Sequence, residues 1–306
     1  MNPAADGFAC ESAPLRGGRV LVAGCGYLGL AVARMLHAAG REVVGLTRSE
    51  TSARALALEP FRVLPCDITD TAAVRALGHY DAVLHCASSG HGGAAVYRGI
   101  FEEGARHLLE GLSPARFVLS SSTSVYAQTD GAWVSEESPA EPERETGRIL
   151  RAAEERVLAA GGVVARLAGL YGPERWALRQ RFLDGHAVLE DGGGRWLNQI
   201  HRADAAAALG LLLDPATPVG IYNVADGSPA TQREIYAAFA AHFGRELPPY
   251  GPADLSRKRG WTHKRVSNAK LCALGWRPIY PSFREALAGE VTALGSTESP
   301  RPMPGR

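Results

Sequence analysis

A glycine-rich turn between a predicted strand and a predicted helix constrains this chain more than any other feature. Residues 20–23 are apolar and suit a buried parallel strand, and they lead directly into the pattern Gly24-x-Gly26-x-x-Gly29. Residues 30–39 then have the pattern of a helix. Gly24 permits a tight turn, Gly26 lets the backbone lie against a diphosphate, and Gly29 lets the helix pack close to the sheet. Because the positive end of that helix would face the phosphates, the stretch predicts a dinucleotide-binding site.

Composition limits what the chain can be. Its 306 residues suffice for one large α/β domain or for a domain with a smaller partner. With 33 basic and 32 acidic side chains, the chain is nearly neutral, so its net charge does not favour binding to nucleic acid or to an anionic membrane. The five cysteines are widely spaced and include no C-x-x-C pair, which predicts a reducing compartment without disulfides or a bound metal. No run resembles a secretory signal or a membrane span, so a cytoplasmic location is expected.

Apolar runs alternate with helical patterns along the chain. Strands are predicted for 42–49, 61–66, 81–87 and 163–167, and a further strand within 115–126 ends in a cluster of hydroxyl groups. Helices are predicted for 71–77, 97–112, 201–213, 231–243 and 283–288, and the fourth of them begins with a capping box of Thr231 and Glu234. Strands regularly spaced by helices predict a doubly wound α/β fold with a parallel sheet covered on both faces.

The second predicted strand ends in Thr47, Arg48 and Ser49, about twenty residues beyond the glycine turn. An NAD site usually has an Asp or Glu there, bound to the ribose 2′-hydroxyl. A guanidinium and two hydroxyls instead suit a 2′-phosphate, so the sequence favours NADP(H), with NAD(H) as the alternative. A solvated strand end would also explain Arg48. The predicted cofactor contacts are Gly24, Gly26, Tyr27, Leu28, Gly29, Thr47, Arg48, Ser49, Asp67, Ile68, Ala87, Ser88 and Ser120.

Five motifs follow one another in order along the chain. They are the glycine turn, Ser120-Ser-Ser-Thr-Ser-Val-Tyr126, Ala165-Arg-Leu-Ala-Gly-Leu-Tyr-Gly-Pro173, Asn198-Gln-Ile-His-Arg-Ala-Asp204 and Gly220-Ile-Tyr-Asn-Val-Ala225. Together they resemble the short-chain dehydrogenases/reductases of the extended or atypical branch, the NAD(P)-dependent epimerase/dehydratase group. The resemblance runs from residue 20 to about residue 288. It implies a Rossmann-type fold with a small, mostly C-terminal substrate-binding lobe.

The resemblance also implies a division of the chain. A dinucleotide-binding domain is expected at 18–172 and a substrate-binding lobe at 173–295, with one segment of the latter returning to the Rossmann sheet. Residues 1–17 and 296–306 are expected to be disordered tails. Many relatives pair through helices near 97–112 and 146–158, so the resemblance allows a homodimer.

Members of this family normally use a Ser or Thr, a Tyr, and a Lys four residues after the Tyr. The Tyr transfers the proton at the reacting carbonyl or hydroxyl, the Lys lowers its pKa, and the Ser holds the substrate oxygen. Ser122 matches the Ser position, but the Tyr and Lys are absent. One alignment register places Thr146 and Leu150 there, and a shift by one places Gly147 and Arg151. Threonine is a far weaker acid than a phenol, so Thr146 cannot replace the Tyr near neutral pH. Three alternatives remain: another group supplies the proton, the reaction needs no proton from the protein, or the chain binds nucleotide without turning over a substrate.

Three side chains are candidates to replace the missing acid: Tyr126, Tyr171 and His201. Each also has a structural interpretation, because such tyrosines often pack in the core and a histidine in this setting often ties a loop to it. His85 lies within an apolar strand and is expected to be a core residue. The predicted substrate contacts are Ser89, Ser124, Arg148, Arg195 and Trp196. A solvated helix face would also explain Arg148, and an ordinary surface hairpin would explain Arg195 and Trp196.

The motifs and the charge distribution together predict a class of function. The basic run 256–265 suits a phosphate or carboxylate clamp or a solvated loop, and it is too short to predict a nucleic-acid partner. The sequence predicts an NADP(H)-dependent oxidoreductase or epimerase that acts on a small polar metabolite. The alternatives are a non-catalytic NADP(H)-binding sensor or scaffold, and a lyase or isomerase that uses a bound nucleotide.

Overall fold

The computed structural model describes residues 18–88, 90, 92–254 and 262–295. Ser89, both predicted tails and most of the basic run lie outside these residues. The strands are β1 (Arg19–Ala23), β2 (Glu42–Thr47), β3 (Arg62–Pro65), β4 (Ala82–His85), β5 (Arg116–Ser122), β6 (Trp133–Val134), β7 (Val163–Leu167), β8 (Gly169–Tyr171), β9 (Leu189–Glu190), β10 (Trp196–Leu197), β11 (Gln199–His201), β12 (Gly220–Val224), β13 (Ala230–Thr231), β14 (Tyr250–Gly251) and β15 (Arg265–Val266). The helices are α1 (Tyr27–Ala38), α2 (Glu50–Ala55), α3 (Thr71–Arg75), α4 (Ala94–Arg98), α5 (Gly104–Leu112), α6 (Glu145–Ala159), α7 (Ala177–Leu183), α8 (Arg202–Leu212), α9 (Gln232–Phe243), α10 (Ala269–Ala273) and α11 (Phe283–Gly295). A π-helical turn spans Gly99–Glu103, and 3₁₀ turns span Thr123–Val125 and Asp191–Gly193.

Seven parallel strands form the central sheet, in the order β12-β7-β5-β4-β1-β2-β3. The chain runs outward from β1 through β2 to β3 and then returns to β4 on the other side of β1. This reversal opens a crevice between the C-terminal ends of β1 and β4, where doubly wound sheets bind their ligands. Helices flank the sheet, and α1 packs against α8. The predicted Rossmann-type α/β fold is confirmed.

Local capping decides where two predicted elements begin and end. Strand β2 stops before the predicted end of 42–49, because Ser49 is the N-cap of α2 and accepts a hydrogen bond from the Ser52 N–H at 3.2 Å. The capping box of Thr231 and Glu234 is confirmed at the start of α9. These side chains satisfy N–H groups that a helix start leaves without partners, so each fixes a helix boundary.

The helix predicted for 97–112 is interrupted by the π-helical turn between α4 and α5. Within this turn the Ile100 carbonyl accepts a hydrogen bond from His85 Nε2 at 2.9 Å. His85 is fully buried, as expected for a core residue, and its ring stacks on Phe101 with 5.9 Å between ring centres. The π turn therefore brings a backbone acceptor to a buried imidazole that needs one.

The hydrophobic core has two parts. The larger part surrounds the sheet and includes residues from late in the chain, such as Val266, Leu271 and Trp276. The smaller part is separate from it and is rich in aromatic residues: Tyr171, Trp176, Phe182, Tyr236, Phe239 and Phe283. Aromatic side chains bury large apolar areas, so a few of them can hold a small lobe together.

A buried ion pair holds α6 against the sheet. Glu154 on α6 and Arg166 on β7 are almost fully buried and lie 2.7 Å apart. Glu154 also accepts hydrogen bonds from Ser121 Oγ on β5 and from Arg151 Nη1, both at 2.6 Å. Loss of one partner of such a pair typically costs about 3–5 kcal/mol, because the other charge stays buried without compensation. The pair therefore fixes α6 beside the end of β5, the strand that ends in Ser122.

Two further properties belong to the described part of the chain. None of its helices is both long enough and apolar enough to span a membrane. Its cysteines, Cys25, Cys66, Cys86 and Cys272, are free thiols.

Candidate functional site

The glycine turn after β1 has a different constraint at each glycine. Gly24 has φ +105°, and a Cβ there would lie 2.5 Å from the backbone of Ala87. A Cβ at Gly29 would lie 2.1 Å from the Gly24 carbonyl oxygen, so α1 packs directly against the turn. A Cβ at Gly26 would meet no atom of the described residues within 4 Å. The turn therefore leaves room for a ligand at Gly26, while the fold itself requires the other two glycines.

The N-terminus of α1 suits an anion. Gly26 is its N-cap residue, and no side chain of the described residues caps it. The hydroxyl of Tyr27 donates to the Pro173 carbonyl at 2.9 Å, which ties the first turn of α1 to the segment after β8. The guanidinium groups of Arg175 and Arg202 lie 5.3 and 4.6 Å from the centre of the Tyr27 ring. The free N–H groups and the helix dipole at this end can hold a diphosphate.

A cavity of about 450 Å³ opens at the C-terminal ends of β1, β2, β3 and β4. Eight of the predicted cofactor residues line it: Gly24, Thr47, Arg48, Ser49, Asp67, Ile68, Ala87 and Ser88. Its lining also includes residues that the sequence did not single out: Leu46, Ser52, Cys66, Gly90 and Ile100. The other predicted contacts lie outside this lining: Gly26, Tyr27, Leu28, Gly29 and Ser120. We call this space the nucleotide cavity.

The end of β2 gives the nucleotide cavity a positive, hydroxyl-rich border. Arg48 is exposed there, and Ser49 donates its hydroxyl to Ser52 Oγ at 3.0 Å. The carboxylate of Asp67 follows β3 rather than β2, and its Oδ1 accepts hydrogen bonds from the N–H and hydroxyl of Thr69 at 2.9 and 2.8 Å. The position where an NAD site usually has an acidic residue therefore carries a guanidinium instead.

Ser122 ends β5 at the edge of the crevice. It is buried, with 7% exposed, and its Oγ accepts a hydrogen bond from the Ser124 N–H at 3.2 Å. This bond begins the 3₁₀ turn in which Ser124 lies half-buried. Because Oγ is the acceptor in this bond, the bond leaves its hydroxyl hydrogen uncommitted, and Ser122 does not line the nucleotide cavity.

The two tyrosines considered as replacement acids are held by structural hydrogen bonds. Tyr126 is fully buried and its hydroxyl donates to Asn223 Oδ1 at 2.9 Å. The hydroxyl of Tyr171 donates to the Ser282 carbonyl at 3.4 Å. Burial raises the pKa of both phenols, which makes each a weaker acid. The geometry therefore favours the packing interpretation for Tyr126 and Tyr171.

His201 is a helix cap. Its Nδ1 accepts a hydrogen bond from the Ala203 N–H at 3.2 Å, at the start of α8. The ring lies 4.0 Å from the ring of Tyr280 and 5.4 Å from that of Tyr171. Burial lowers the pKa of His201, so the imidazole is neutral at pH 7 and keeps the lone pair that the cap requires. This arrangement favours the loop-tying interpretation.

Helix α6 supplies neither a phenol nor an amine at the positions of the family's Tyr and Lys. Thr146 is half-buried, and Leu150 is buried in the main core. Arg151, at the Lys position of the shifted register, donates to Glu154. Arg148, a predicted substrate contact, is exposed on α6 and lines neither cavity.

A second cavity of about 470 Å³ is lined by residues between 169 and 254, and we call it the substrate cavity. Aromatic and charged side chains line it, among them Tyr171, Trp176, Arg181, His186, Glu190, Arg195 and Tyr236. Arg195 donates to Glu190 Oε2 and to the Thr262 carbonyl, both at 3.1 Å. Trp196 is outside the lining, and its ring centre lies 5.3 Å from the Arg265 guanidinium.

Two buried ionisable groups near the site were not singled out from the sequence as site residues. Lys264 is 3% exposed and Asp226 is 5% exposed. Burial lowers the pKa of Lys264 to about 7 and raises the pKa of Asp226 to about 8. Lys264 belongs to the basic run 256–265, for which a solvated loop was one interpretation, and Asp226 directly follows the last family motif.

Three comparisons relate the chain to known proteins. The model of the NAD dependent epimerase/dehydratase family matches residues 20–225. Protein YeeZ of Escherichia coli (strain K12) is 28% identical over 277 residues, which cover 86% of this chain and 96% of YeeZ. The 3-diazoavenalumate denitrifying reductase of a Streptomyces species is 30% identical over 310 residues, covering 89% of this chain and 100% of the reductase. The solved structure of an NAD-dependent epimerase/dehydratase from Methylobacillus flagellatus has a TM-score of 0.74 at 27% identity, covering 91% of this chain and 99% of that one.

Proposed function

Because this chain belongs to the NAD-dependent epimerase/dehydratase family, we propose that it is an NADP(H)-dependent oxidoreductase that acts on a small polar metabolite. One relative is named as a reductase, and reduction is the reaction type proposed here. When bound, the nicotinamide supplies or accepts the hydride. The residues of this chain bind the two molecules, orient them and move the proton.

The observation that carries the proposal is the nucleotide cavity beside the open position at Gly26. The cavity reaches the ends of four neighbouring strands, and the uncapped N-terminus of α1 lies at its glycine turn. A Cβ at Gly26 would have no atom of the described residues within 4 Å, so a diphosphate could closely approach the free N–H groups of this helix start. The residues present therefore fit a dinucleotide.

The border of the cavity at β2 supports NADP(H) over NAD(H). Arg48 brings a guanidinium, and Ser49 and Ser52 bring hydroxyls, to the place where the ribose 2′ position is expected. Guanidinium groups bind phosphate through charge-assisted hydrogen bonds, whereas a free 2′-hydroxyl gains little from them. We therefore assign the 2′-phosphate to this border.

The substrate cavity supports a substrate with both a polar group and a flat apolar part. Arg181 and His186 offer donors, and the rings of Tyr171, Trp176 and Tyr236 offer apolar surface. Ser122 can donate its hydroxyl hydrogen to the reacting oxygen and so orient it. A preformed cavity of this size can hold a small substrate, which supports an enzyme over the alternative of a non-catalytic sensor or scaffold.

Nucleotide titration tests the cofactor assignment. We expect Arg48→Ala to weaken NADPH affinity about tenfold or more, because the lost hydrogen bonds to a charged group are each worth about 1.5–3 kcal/mol. NADH affinity should change by less than about twofold, since NADH has no 2′-phosphate. Calorimetric titration of both nucleotides measures the difference. The matched control is Arg54→Ala, because Arg54 lies on α2 with its side chain 81% exposed and outside the nucleotide cavity.

Two outcomes would count against this proposal. Unchanged NADPH affinity in Arg48→Ala would remove the 2′-phosphate assignment. Substrate turnover without net consumption of NADPH would favour the epimerase alternative, because an epimerase returns its cofactor unchanged.

A further inference from the structure

A tight turn follows β8 and borders the wall of the substrate cavity. Gly172 and Arg175 exchange two backbone hydrogen bonds, each at 3.1 Å, so residues 172–175 form a β-turn. We call these four residues the linking turn. The residues directly before and after it, Tyr171 and Trp176, both line the substrate cavity. A change in the linking turn therefore acts on side chains that form this wall.

The linking turn carries an unfavourable residue at its third position. Pro173, at the second position, has its φ fixed near about −65° by its ring. Glu174, at the third position, has φ +66°. This combination defines a type II turn, in which the third position normally belongs to glycine or asparagine. Because a Cβ disfavours the left-handed conformation, the backbone at Glu174 is strained.

A type I turn is the unstrained alternative for the same four residues, because it gives the third residue a negative φ and also accepts proline at the second position. The two turn types differ mainly in the peptide group between Pro173 and Glu174, which is turned over from one to the other. The carbonyl of Pro173 therefore points in opposite directions in the two forms.

One side-chain hydrogen bond holds the strained form. The Pro173 carbonyl accepts it from the hydroxyl of Tyr27 at 2.9 Å, and a type I turn would point this carbonyl away and lose the bond. The strain of one left-handed residue and the gain from one hydrogen bond are similar in size. The two forms of the linking turn are therefore close in free energy, and a small influence on Tyr27 decides between them.

Tyr27 connects the linking turn to the predicted diphosphate position. It is the first residue of α1 and directly follows Gly26, so its backbone N–H belongs to the group that a helix start leaves without helical partners. Its side chain packs on the linking turn: the Arg175 guanidinium lies 5.3 Å from its ring centre, and a Cβ at Gly172 would lie 2.9 Å from its hydroxyl. A diphosphate bound to this helix start would fix the main chain from which this side chain extends.

We propose that Tyr27 is a positioning residue, whose hydroxyl holds the linking turn in its type II form when a nucleotide diphosphate occupies the start of α1. The proposal rests on the nucleotide binding proposed above. Without nucleotide the linking turn populates both forms, and with nucleotide it populates the type II form. The cofactor thereby sets the positions of Tyr171 and Trp176, and the substrate cavity takes its final shape only in the cofactor complex. A ligand shifts such an equilibrium by its difference in affinity for the two forms.

The competing explanation is that the Tyr27 hydroxyl only adds a hydrogen bond to the fold. In that case its loss would lower stability, but neither the nucleotide nor the strain at Glu174 would change the cavity wall. The two explanations therefore differ in whether the environment of Trp176 responds to the nucleotide, and in whether relief of the strain replaces the hydroxyl.

The measurement is ¹⁹F NMR of protein labelled with 5-fluorotryptophan. The five tryptophans give five signals, and the signal missing in Trp176→Phe is that of Trp176. The probe is 2′-phospho-ADP-ribose, which has the diphosphate of NADP but no nicotinamide ring that could touch Trp176. Calorimetry gives the concentration at which each variant is saturated with the probe. We expect the saturated wild type to show a shifted Trp176 signal.

Two variants move the linking turn in opposite directions. Tyr27→Phe keeps the ring beside Arg175 but removes the hydroxyl, so its Trp176 signal should lose the shift caused by the probe. Glu174→Gly removes the strain of the type II form, so its signal should lie at the position of the saturated wild type even without probe. The double variant Tyr27→Phe/Glu174→Gly should behave as Glu174→Gly, because the relief of strain replaces the hydrogen bond.

The chain offers a matched control for each variant. The hydroxyl of Tyr222 also donates to a proline carbonyl, that of Pro218, at the same 2.9 Å, but it lies on the edge strand β12. Tyr222→Phe should therefore give the Trp176 signal and the probe shift of the wild type. Glu174→Gln removes the charge of this exposed side chain but keeps its Cβ and the strain, so it should also match the wild type.

Each remaining outcome decides the question. An undiminished probe shift in Tyr27→Phe, or one Trp176 signal position shared by the unliganded wild type, Tyr27→Phe and Glu174→Gly, would overturn the proposal. Failure of the wild type to bind the probe in calorimetry would instead overturn the nucleotide binding, and with it the link to the cofactor. The unliganded variants then still decide whether Tyr27 holds the turn: signals of Tyr27→Phe and Glu174→Gly on opposite sides of the wild-type signal support this role.

Discussion

A buried carboxyl group at the end of β12 makes the stability of this protein depend on pH. Asp226 Oδ1 accepts a hydrogen bond from the Ser228 N–H at 2.9 Å, while Oδ2 has no partner among the described residues. Burial, together with the charges of Asp204 and Glu285, raises its pKa from 3.8 to about 8. The folded protein therefore keeps a proton that the unfolded chain releases between about pH 4 and pH 8. The stability that this group contributes is lost as the pH rises through that window.

Removal of this carboxyl should flatten that dependence. We expect the stability of Asp226→Asn relative to the wild type to rise by about 1 kcal/mol or more between pH 5 and pH 8.5, because asparagine has no charge to bury. Urea unfolding at both pH values measures the difference. The matched control is Asp214→Asn, since Asp214 accepts a hydrogen bond from the Ala216 N–H at 2.8 Å in a similar turn but is only half-buried. The same pH dependence in Asp226→Asn and the wild type would contradict the prediction.

The sequence identified Arg48 as a site residue but not Lys264 or Asp226, because only the position of Arg48 follows from sequence spacing. Arg48 lies at the end of a strand whose position follows from the glycine turn, so sequence spacing alone could assign it a place. Lys264 is buried because β15 pairs with β6, and those strands are far apart in the chain. Asp226 is buried beside Gln199, whose carbonyl accepts its N–H at 2.9 Å. A linear pattern contains no record of such contacts, so neither group could be singled out in advance.

At the scale of elements, the glycine turn of β1 and α1 separates binding from folding. A Cβ at Gly26 would enter open space, whereas a Cβ at Gly29 would lie 2.1 Å from a carbonyl oxygen. We expect Gly26→Ala to melt within about 2 °C of the wild type and to lose NADPH affinity about tenfold or more, because the methyl group occupies the space of the diphosphate. Gly29→Ala should instead lower the melting temperature, by about 2–4 °C per kcal/mol of strain.

Thermal melts and nucleotide titration of the same two variants measure both effects. The variants are matched, since each adds one methyl group to the same turn. Equal destabilisation of the two variants, or undiminished NADPH binding by Gly26→Ala, would contradict the assignment of separate roles to these glycines.

The sequence predicted the order and type of the strands and helices better than it predicted the places where a helix is interrupted. Alternation of apolar strands with helices predicts the parallel sheet, and local side chains such as the Thr231 cap predict where a helix begins. The π turn was not predicted, because its cause is a hydrogen bond between Ile100 and His85, which come from different elements. The same holds for the site. The nucleotide cavity lies at strand ends, which the sequence predicts, whereas the substrate cavity is formed by segments that are far apart in the chain.

At the scale of the molecule, several late segments of the chain pack into the larger part of the core, around the sheet. Strand β12, from late in the chain, completes the edge of the sheet, and α8 packs on α1. Val266 and Trp276 lie in the same hydrophobic cluster as the strands of the sheet. The boundary expected at residue 172 and the homodimer both stay predictions. Because so much of the C-terminal part packs into the main core, we expect the chain to unfold as one unit.

NADPH binding offers a test of this unity. A ligand that binds only the folded protein adds about 2.7 kcal/mol of stability at 100 times its Kd. If the molecule unfolds as one unit, NADPH should slow hydrogen exchange by that amount in the most protected amides of both α1 and α9, although α9 does not line the nucleotide cavity. Hydrogen-exchange mass spectrometry with and without NADPH measures the change, and Gly26→Ala is the control in which neither helix should respond. Added protection confined to α1 would mean that the lobe opens independently, because ligand binding stabilises only those amides whose exposure requires release of the ligand.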